Sequence, residues 1–238
     1  MFSSSKSGAT VAGLITLDLD GTLVNTIYDL GASVDYALSS LGYPKRSIEE
    51  YTRFVGNGTL KLIERSLPDG VKDDKDIVSK AHDIFSSHYS KHYLDLSRPY
   101  PGIMELLLGL KDLGFVLCVS TNKPDAFARG IAKSLFQEDM FYIVRGAVDG
   151  VRKKPDPQSE NEIITSCLER FGKGIKSLII HVGDSDVDVL TAKNAGIISI
   201  GCSWGYRPKE SLLASGADYL ADSPCDVMTA VRSLLPKV

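Results

Sequence analysis

The chain has 238 residues, with 27 basic against 30 acidic side chains, a net charge of −3, 43% hydrophobic and 24% charged residues. That length holds one core plus a modest insertion, and the composition excludes disordered, collagen-like and coiled-coil chains. No basic excess exists to neutralise a phosphate backbone, so nucleic acid is not an expected partner.

The opening MFSSSKSGATVAG carries no apolar stretch of signal-peptide length, and no run approaches the ~20 apolar residues that cross a bilayer. Cys118, Cys167, Cys202 and Cys225 lack C-x-x-C spacing and lie in or beside apolar runs, as reduced thiols do. A cytoplasmic chain without membrane contact is expected, as a monomer or a homodimer.

Gly13 to Leu17 reads as a short buried strand that stops at Asp18-Leu19-Asp20-Gly21-Thr22. Helical spacing follows: Ile27, Leu30, Val34, Ala37, Leu38 and Leu41 up to Gly42 and Pro44, then Leu60, Ile63 and Leu67, then Ile77 through Tyr89. This stretch is expected to be all helix, with no strand, and to form an inserted unit. From Pro101 helices and apolar runs alternate, the runs being Phe115–Val119, Phe141–Val144, Leu178–Val182, Ile197–Ile200 and Asp218–Leu220. Such alternation predicts a doubly wound α/β fold whose parallel sheet is covered on both faces.

Ligands of such sheets bind beyond the carboxyl ends of the strands. Those ends bear Asp18 and Asp20, then Ser120, Thr121 and Asn122, then Gly183, Asp184 and Asp188. Asp18 and Asp20, two apart, point to one side in extended backbone, and Gly21 lets the chain turn away. Two charges ~4 Å apart repel by several kcal/mol at an effective dielectric of about 20, so three ionised aspartates need a cation, a proton or a lysine. Oxygen ligands favour Mg²⁺ over Zn²⁺. Lys154, stiffened by Pro155 and Pro157, is the best fixed cation.

Asp18-Leu19-Asp20-Gly21-Thr22-Leu23, Thr121, Lys154-Pro155 and Gly183-Asp184-Ser185-Asp186-Val187-Asp188, in that order, resemble the four motifs of the haloacid dehalogenase-like hydrolase superfamily. The resemblance implies phosphoryl transfer through an aspartyl phosphate, with Asp18 as nucleophile and Asp20 as general acid and then base. It implies that Thr121, with its neighbouring backbone, and Lys154 hold and screen the phosphoryl group. It puts Gly21, Thr22 and Asn122 among the substrate contacts. Mg²⁺ would be held by Asp18, the backbone carbonyl of Asp20 and Asp184, with Asp188 orienting that shell. Residues 1–23 and 99–238 would form the Rossmann-like core and residues 24–98 a helical cap. Asp20 favours phosphate chemistry over dehalogenation, because relatives that cleave carbon–halogen bonds lack an acid there. Asn25-Thr26 departs from the Asp-Ser common among relatives, and tuning of the site is expected from it.

Within the insertion, Phe54-Val55-Gly56-Asn57-Gly58-Thr59-Leu60 resembles the cap loop of phosphoglycolate phosphatases, as do Ser203-Trp204-Gly205-Tyr206-Arg207 and Ala217-Asp218-Tyr219-Leu220-Ala221-Asp222. Gly56, Asn57 and Gly58 at a helix start let backbone N–H groups approach an anion. Arg53 and Arg65 are nearby charges.

The expected activity is hydrolysis of a small phosphorylated metabolite similar to phosphoglycolate. A hexose-phosphate mutase, a pyrophosphatase or nucleotidase, and a phosphorylatable receiver-type module are the rivals. Asp184 to Asp188 is not a calcium loop, since Val189 and Ala195 stand where Gly and Glu are needed. No cysteine has the downstream arginine of a thiol phosphatase. His88 and His92 share a helix face without a third ligand, His181 is expected to pack in its strand, and Lys123 and Arg207 lie either at the mouth of the site or in solvent.

Overall fold

The computed structural model describes residues 11–172, 175 and 178–236. The first strand, β1 (Gly13–Leu17), is buried at every position, as a central parallel strand is. A tight loop leads to β2 (Val24–Asn25), and four helices follow: α1 (Ile27–Ser40), α2 (Ile48–Phe54), α3 (Thr59–Ser66) and α4 (Lys75–His92). The chain returns through β3 (Arg98–Pro99). It then alternates through α5 (Ile103–Asp112), β4 (Phe115–Pro124), α6 (Asp125–Leu135), β5 (Ile143–Ala147) and α7 (Gln158–Phe171). The last elements are β6 (Ile179–Gly183), α8 (Asp186–Ala195), β7 (Ile198–Cys202), α9 (Lys209–Ser215), β8 (Tyr219–Ala221) and α10 (Pro224–Leu234).

Six strands form one sheet in the order β5-β4-β1-β6-β7-β8, all parallel. The doubly wound α/β architecture expected from the alternation is therefore present. The strand order reverses at β1, between β4 and β6, which brings the ends of all three strands to one crevice. One apolar cluster, including Ile15, Leu17, Leu107, Val119 and Val182, packs the sheet against its helices. A separate cluster, including Tyr51, Leu62, Ile63, Phe85 and Tyr89, lies within the helical insertion.

Three sequence expectations need correction. The insertion is not strand-free: β2 and β3 pair antiparallel, Val24 opposite Pro99 and Asn25 opposite Arg98, where the chain leaves and re-enters. Two residues per strand are too few for a periodicity signal. Helix α2 went unrecognised, although Ser47 and Glu50 form a capping box at its start. Ser120, Thr121 and Asn122 do not follow their strand but belong to it, since β4 continues to Pro124. Because β1 stops opposite Val119 and the pairing with β5 slips between Ser120 and Pro124, these residues still project past the sheet centre. Among the described residues no helix is long and apolar enough to cross a membrane.

Candidate active site

The loop after β1 is shaped by backbone bonds: Gly21 N–H donates to Val24 O at 2.9 Å and Leu23 N–H to Leu19 O at 3.0 Å. Gly21 adopts φ +87°, and a Cβ there would run into the Asp184 carboxylate, so both conformation and space require glycine. The turn brings Asp18 beside residues delivered by β4, β6 and the segment before α7. Asp18, Asp184 and Asp188 each offer an oxygen within 4.8 Å of the others.

Lys154 ties this group together. Its Nζ lies 2.6 Å from Asp188 Oδ1, 3.1 Å from Asp18 Oδ1 and 2.7 Å from the Ser120 carbonyl. Asn122 clamps the lysine backbone, accepting from Lys154 N–H at 2.9 Å and donating to Lys154 O at 3.1 Å. Asp188 is the third residue of α8; its Oδ2 accepts from Ser185 N–H and Oγ, while Oδ1 accepts from Lys154 and faces His181 Nε2 at 3.2 Å. Both oxygens are thus engaged by protein groups. Asp184 accepts from Thr22 Oγ1 at 2.9 Å and from Tyr206 N–H at 2.7 Å.

These carboxylates carry more negative charge than the protein neutralises. Burial and the charges of Asp188 and Asp18 push Asp184 up to about 8. Burial likewise pushes Asp18 up to about 6, against the pull of Lys154. Asp188 goes the other way: burial opposes its ionisation, but Lys154 and His181 hold it below the ordinary carboxylate range. Asp18 Oδ1 is buried and accepts no aligned hydrogen bond despite the nearby Lys154. An all-oxygen donor set with surplus negative charge suits a hard divalent cation.

Asp20 sits differently. Lys123 Nζ lies 3.0 and 3.1 Å from its two oxygens, and Thr26 Oγ1 donates to Oδ1 at 2.7 Å. Lys123 also donates to the Tyr89 hydroxyl at 2.7 Å, a contact from the core to α4 of the insertion. Tyr206 OH in turn accepts from Thr26 N–H at 3.0 Å. Burial works against the charge of Lys123, yet Asp20 and Tyr89 raise its pKa above the usual lysine value. Burial moves the Tyr89 hydroxyl up to about 12.

A cleft of about 680 Å³, open solvent included, lies between the strand ends and the insertion; Asp18, Asp20, Thr121, Lys154, Asp184 and Asp188 face it. Gly56, Gly58 and Asn122 also line it. Gly21, Thr22 and Asn57 are not in its wall: Gly21 and Thr22 support Asp184 from behind, and Asn57 Oδ1 accepts from Arg65 Nη2 at 2.9 Å. Arg53 is not in the cleft wall but lines a separate groove formed by residues of the insertion. Arg207 lines the cleft and donates to the carbonyls of Thr52, at 2.8 Å, and Val55, fastening the glycine loop to the core. His88 and His92 stack with centroids 4.3 Å apart and bond separately to Ser33 and Asp95.

Two participants escaped the sequence reading. Lys123, weighed there as solvated or at the mouth, is 5% exposed and paired with Asp20. Its adjacency to Asn122 was the only signal in the sequence, because the continuation of the strand to Pro124 emerged only in the structure. Tyr89 was read as an apolar helix position, and only tertiary contact reveals its hydroxyl as a site group.

Comparison with known proteins follows the same lines. The family model described as haloacid dehalogenase-like hydrolase matches residues 15–202. A phosphoglycolate phosphatase of Vibrio parahaemolyticus is 35% identical over 222 residues, 92% of this chain and 95% of that protein. One from Pseudomonas putida is 31% identical over 95% of this chain and 80% of its own length. The crystal structure of a predicted phosphoglycolate phosphatase from Haemophilus somnus 129pt superposes with a TM-score of 0.80 at 28% identity, covering 94% of this chain and 99% of that one.

Proposed function

Because this chain belongs to the haloacid dehalogenase-like hydrolases, we propose that it is a Mg²⁺-dependent phosphatase of a small carboxylate-bearing phosphomonoester such as phosphoglycolate. One observation carries this reading. Asp18 is packed against Lys154 and within 4.8 Å of the other two carboxylates, at the strand ends and facing a cleft. The names of the relatives support the substrate class.

Asp18 attacks phosphorus with a carboxylate oxygen, and the bond to the leaving oxygen breaks as Asp20 donates its proton to that oxygen. Asp20, now a carboxylate, takes a proton from the water that attacks the aspartyl phosphate; phosphate leaves and Asp18 is restored. Thr121 and the backbone beside it hold phosphoryl oxygens, and Lys154 screens the charge that would repel an anionic phosphate from an anionic nucleophile. Asp18, the Asp20 backbone carbonyl and Asp184 would hold Mg²⁺, which when bound neutralises carboxylate and phosphoryl charge. Asp188 is committed to Lys154 and Ser185 and orients the group.

Residues 24–98 act as the cap over the cleft. Gly56 and Gly58, at φ +116° and +93°, shape the loop that precedes α3 and present backbone N–H groups to the substrate carboxylate. Phosphate release from phosphoglycolate, a nucleoside monophosphate, pyrophosphate and glucose 1-phosphate, with and without Mg²⁺, tests the reading. Turnover of phosphoglycolate that needs Mg²⁺ is expected; no release from any of the four refutes it, and glucose 1-phosphate isomerised without phosphate release indicates a mutase.

A further inference from the structure

A buried acid on the sheet has no part in the chemistry above. Register places Cys118 of β4, Thr16 of β1, His181 of β6 and Ser199 of β7 side by side, in a row level with the penultimate residue of β1. Over this row lies α7, whose Glu160 is 0% exposed. Glu160 Oε1 accepts from Thr16 Oγ1 at 2.5 Å, while Oε2 is buried without a hydrogen bond, 3.7 Å from His181 Nδ1. Thr16 Oγ1 is also 2.8 Å from His181 Nδ1, and His181 Nε2 is 3.2 Å from Asp188 Oδ1.

Counting donors fixes one proton of the ring. Thr16 Oγ1 bridges Glu160 Oε1 and His181 Nδ1, so the three side chains form one continuous chain of contacts. At the other end the Asp188 carboxylate, already receiving Lys154 and Ser185, only accepts, so Nε2 carries the hydrogen. The charged groups facing the imidazole are Glu160 on one side and Asp188, backed by Lys154, on the other.

We propose that Glu160, Thr16 and His181 form a positioning relay for the phosphatase reaction: Glu160 holds His181 so that its Nε2–H pins Asp188, and Asp188 thereby fixes Lys154 against Asp18. The relay runs from α7 through the sheet to the nucleophile, and it extends the site beyond the residues of the four motifs. It rests on the reaction assigned above, but its first test does not.

Long-range ¹H–¹⁵N NMR of the histidine rings in the full chain, with His181 assigned by the signal lost in His181→Gln, reads the protons directly. Nε2 of His181 should show the shift of a protonated nitrogen, and Glu160→Gln should move the ring's ¹H and ¹⁵N signals. An Nε2 without a proton in the wild-type protein, or a ring signal unmoved by Glu160→Gln, overturns the proposal, whatever the substrate proves to be. Kinetics give the second arm: Glu160→Gln, normalised to folded protein, should lower kcat about tenfold with KM nearly unchanged. His181→Gln, which keeps an N–H toward Asp188, should retain more activity than His181→Leu. A wild-type kcat in Glu160→Gln, or equal loss in the two His181 variants, overturns the relay. Failure of every substrate while the ring signature holds would instead discard the phosphatase reading and leave the Glu160–His181 pair in place.

Discussion

Asp18 is steadied entirely from the core: Lys154 reaches it from the segment before α7, and Asp188 of α8 steadies Lys154. Asp20, two residues on, is held by Lys123, and the remaining partner of Lys123 is Tyr89 of the insertion. Tyr89 in turn stacks on Phe85 and meets Phe127 of α6 edge-on, at centroid distances of 5.3 and 5.1 Å. The proposed nucleophile is therefore built whether or not the insertion is seated, whereas the proposed acid acquires its full set of contacts only when α4 lies against β4. In the proposed reaction attack and proton transfer thus answer to different parts of the molecule, and protonation of the leaving group is the step that a displaced insertion would impair.

The largest effect should come from the core side. Asp18→Asn is expected to lower kcat by roughly 10⁵-fold or more, the scale of losing a covalent nucleophile, with the circular dichroism spectrum unchanged. Near-normal turnover in that variant would remove Asp18 from its role. The two lysines sharpen the contrast. Lys154→Met strands Asp188 and Asp18 without their cation and should cost about 3–5 kcal/mol in urea unfolding as well as activity. Lys123→Met should cost less stability, since Asp20 keeps Thr26, but should lower kcat by about 10²-fold through the misplaced acid. Equal stability losses in the two variants would erase the distinction.

Metal binding should register in thermal stability. Asp184, raised to about 8 from an ordinary 3.8, is a carboxylate whose ionised form the folded chain disfavours. At neutral pH the unfolded chain carries that charge freely, so the metal-free fold is weakened until a cation arrives. Mg²⁺ at 100 times its Kd should add about 2.7 kcal/mol, a Tm rise of roughly 5–10 °C for a chain this size. Asp184→Asn should raise the metal-free Tm and shrink the Mg²⁺ response; an undiminished response would place the ion elsewhere. The smallest effect tests the insertion side: Tyr89→Phe leaves Lys123 on Asp20, should cost about 1 kcal/mol, and should lower kcat severalfold with little change in metal affinity. A kcat unaffected by this change would uncouple α4 from the acid.

The strand ends were legible because a buried parallel strand is a continuous apolar run, and the polar residue that ends it marks the sheet edge. Asp18, Asp20 and Asp184 face the cleft for that reason, whereas Thr121, Lys154 and Asp188 reach it from inside β4, from the segment before α7 and from the first turn of α8. Lys123 was harder to read, since a lysine after a strand is usually solvated, and its burial depends on Tyr89 arriving from 34 residues upstream. Asn57 shows the reverse: its glycine neighbours reach the cleft, but Arg65, one helical stretch later, takes its side chain away. The β2–β3 pair was invisible because two residues carry no period.

Residue order alone thus determined the doubly wound core, the ordered acidic motifs and the demand for positive charge among them, since periodicity and like-charge repulsion act along or near the chain. Which cation meets which aspartate, Lys154 with Asp18 and Asp188 but Lys123 with Asp20, was decided only in three dimensions. A lysine side chain, five bonds from Cα to Nζ, can reach several of the carboxylates gathered at the strand ends. Packing of α4 and α7 against the sheet selects among them.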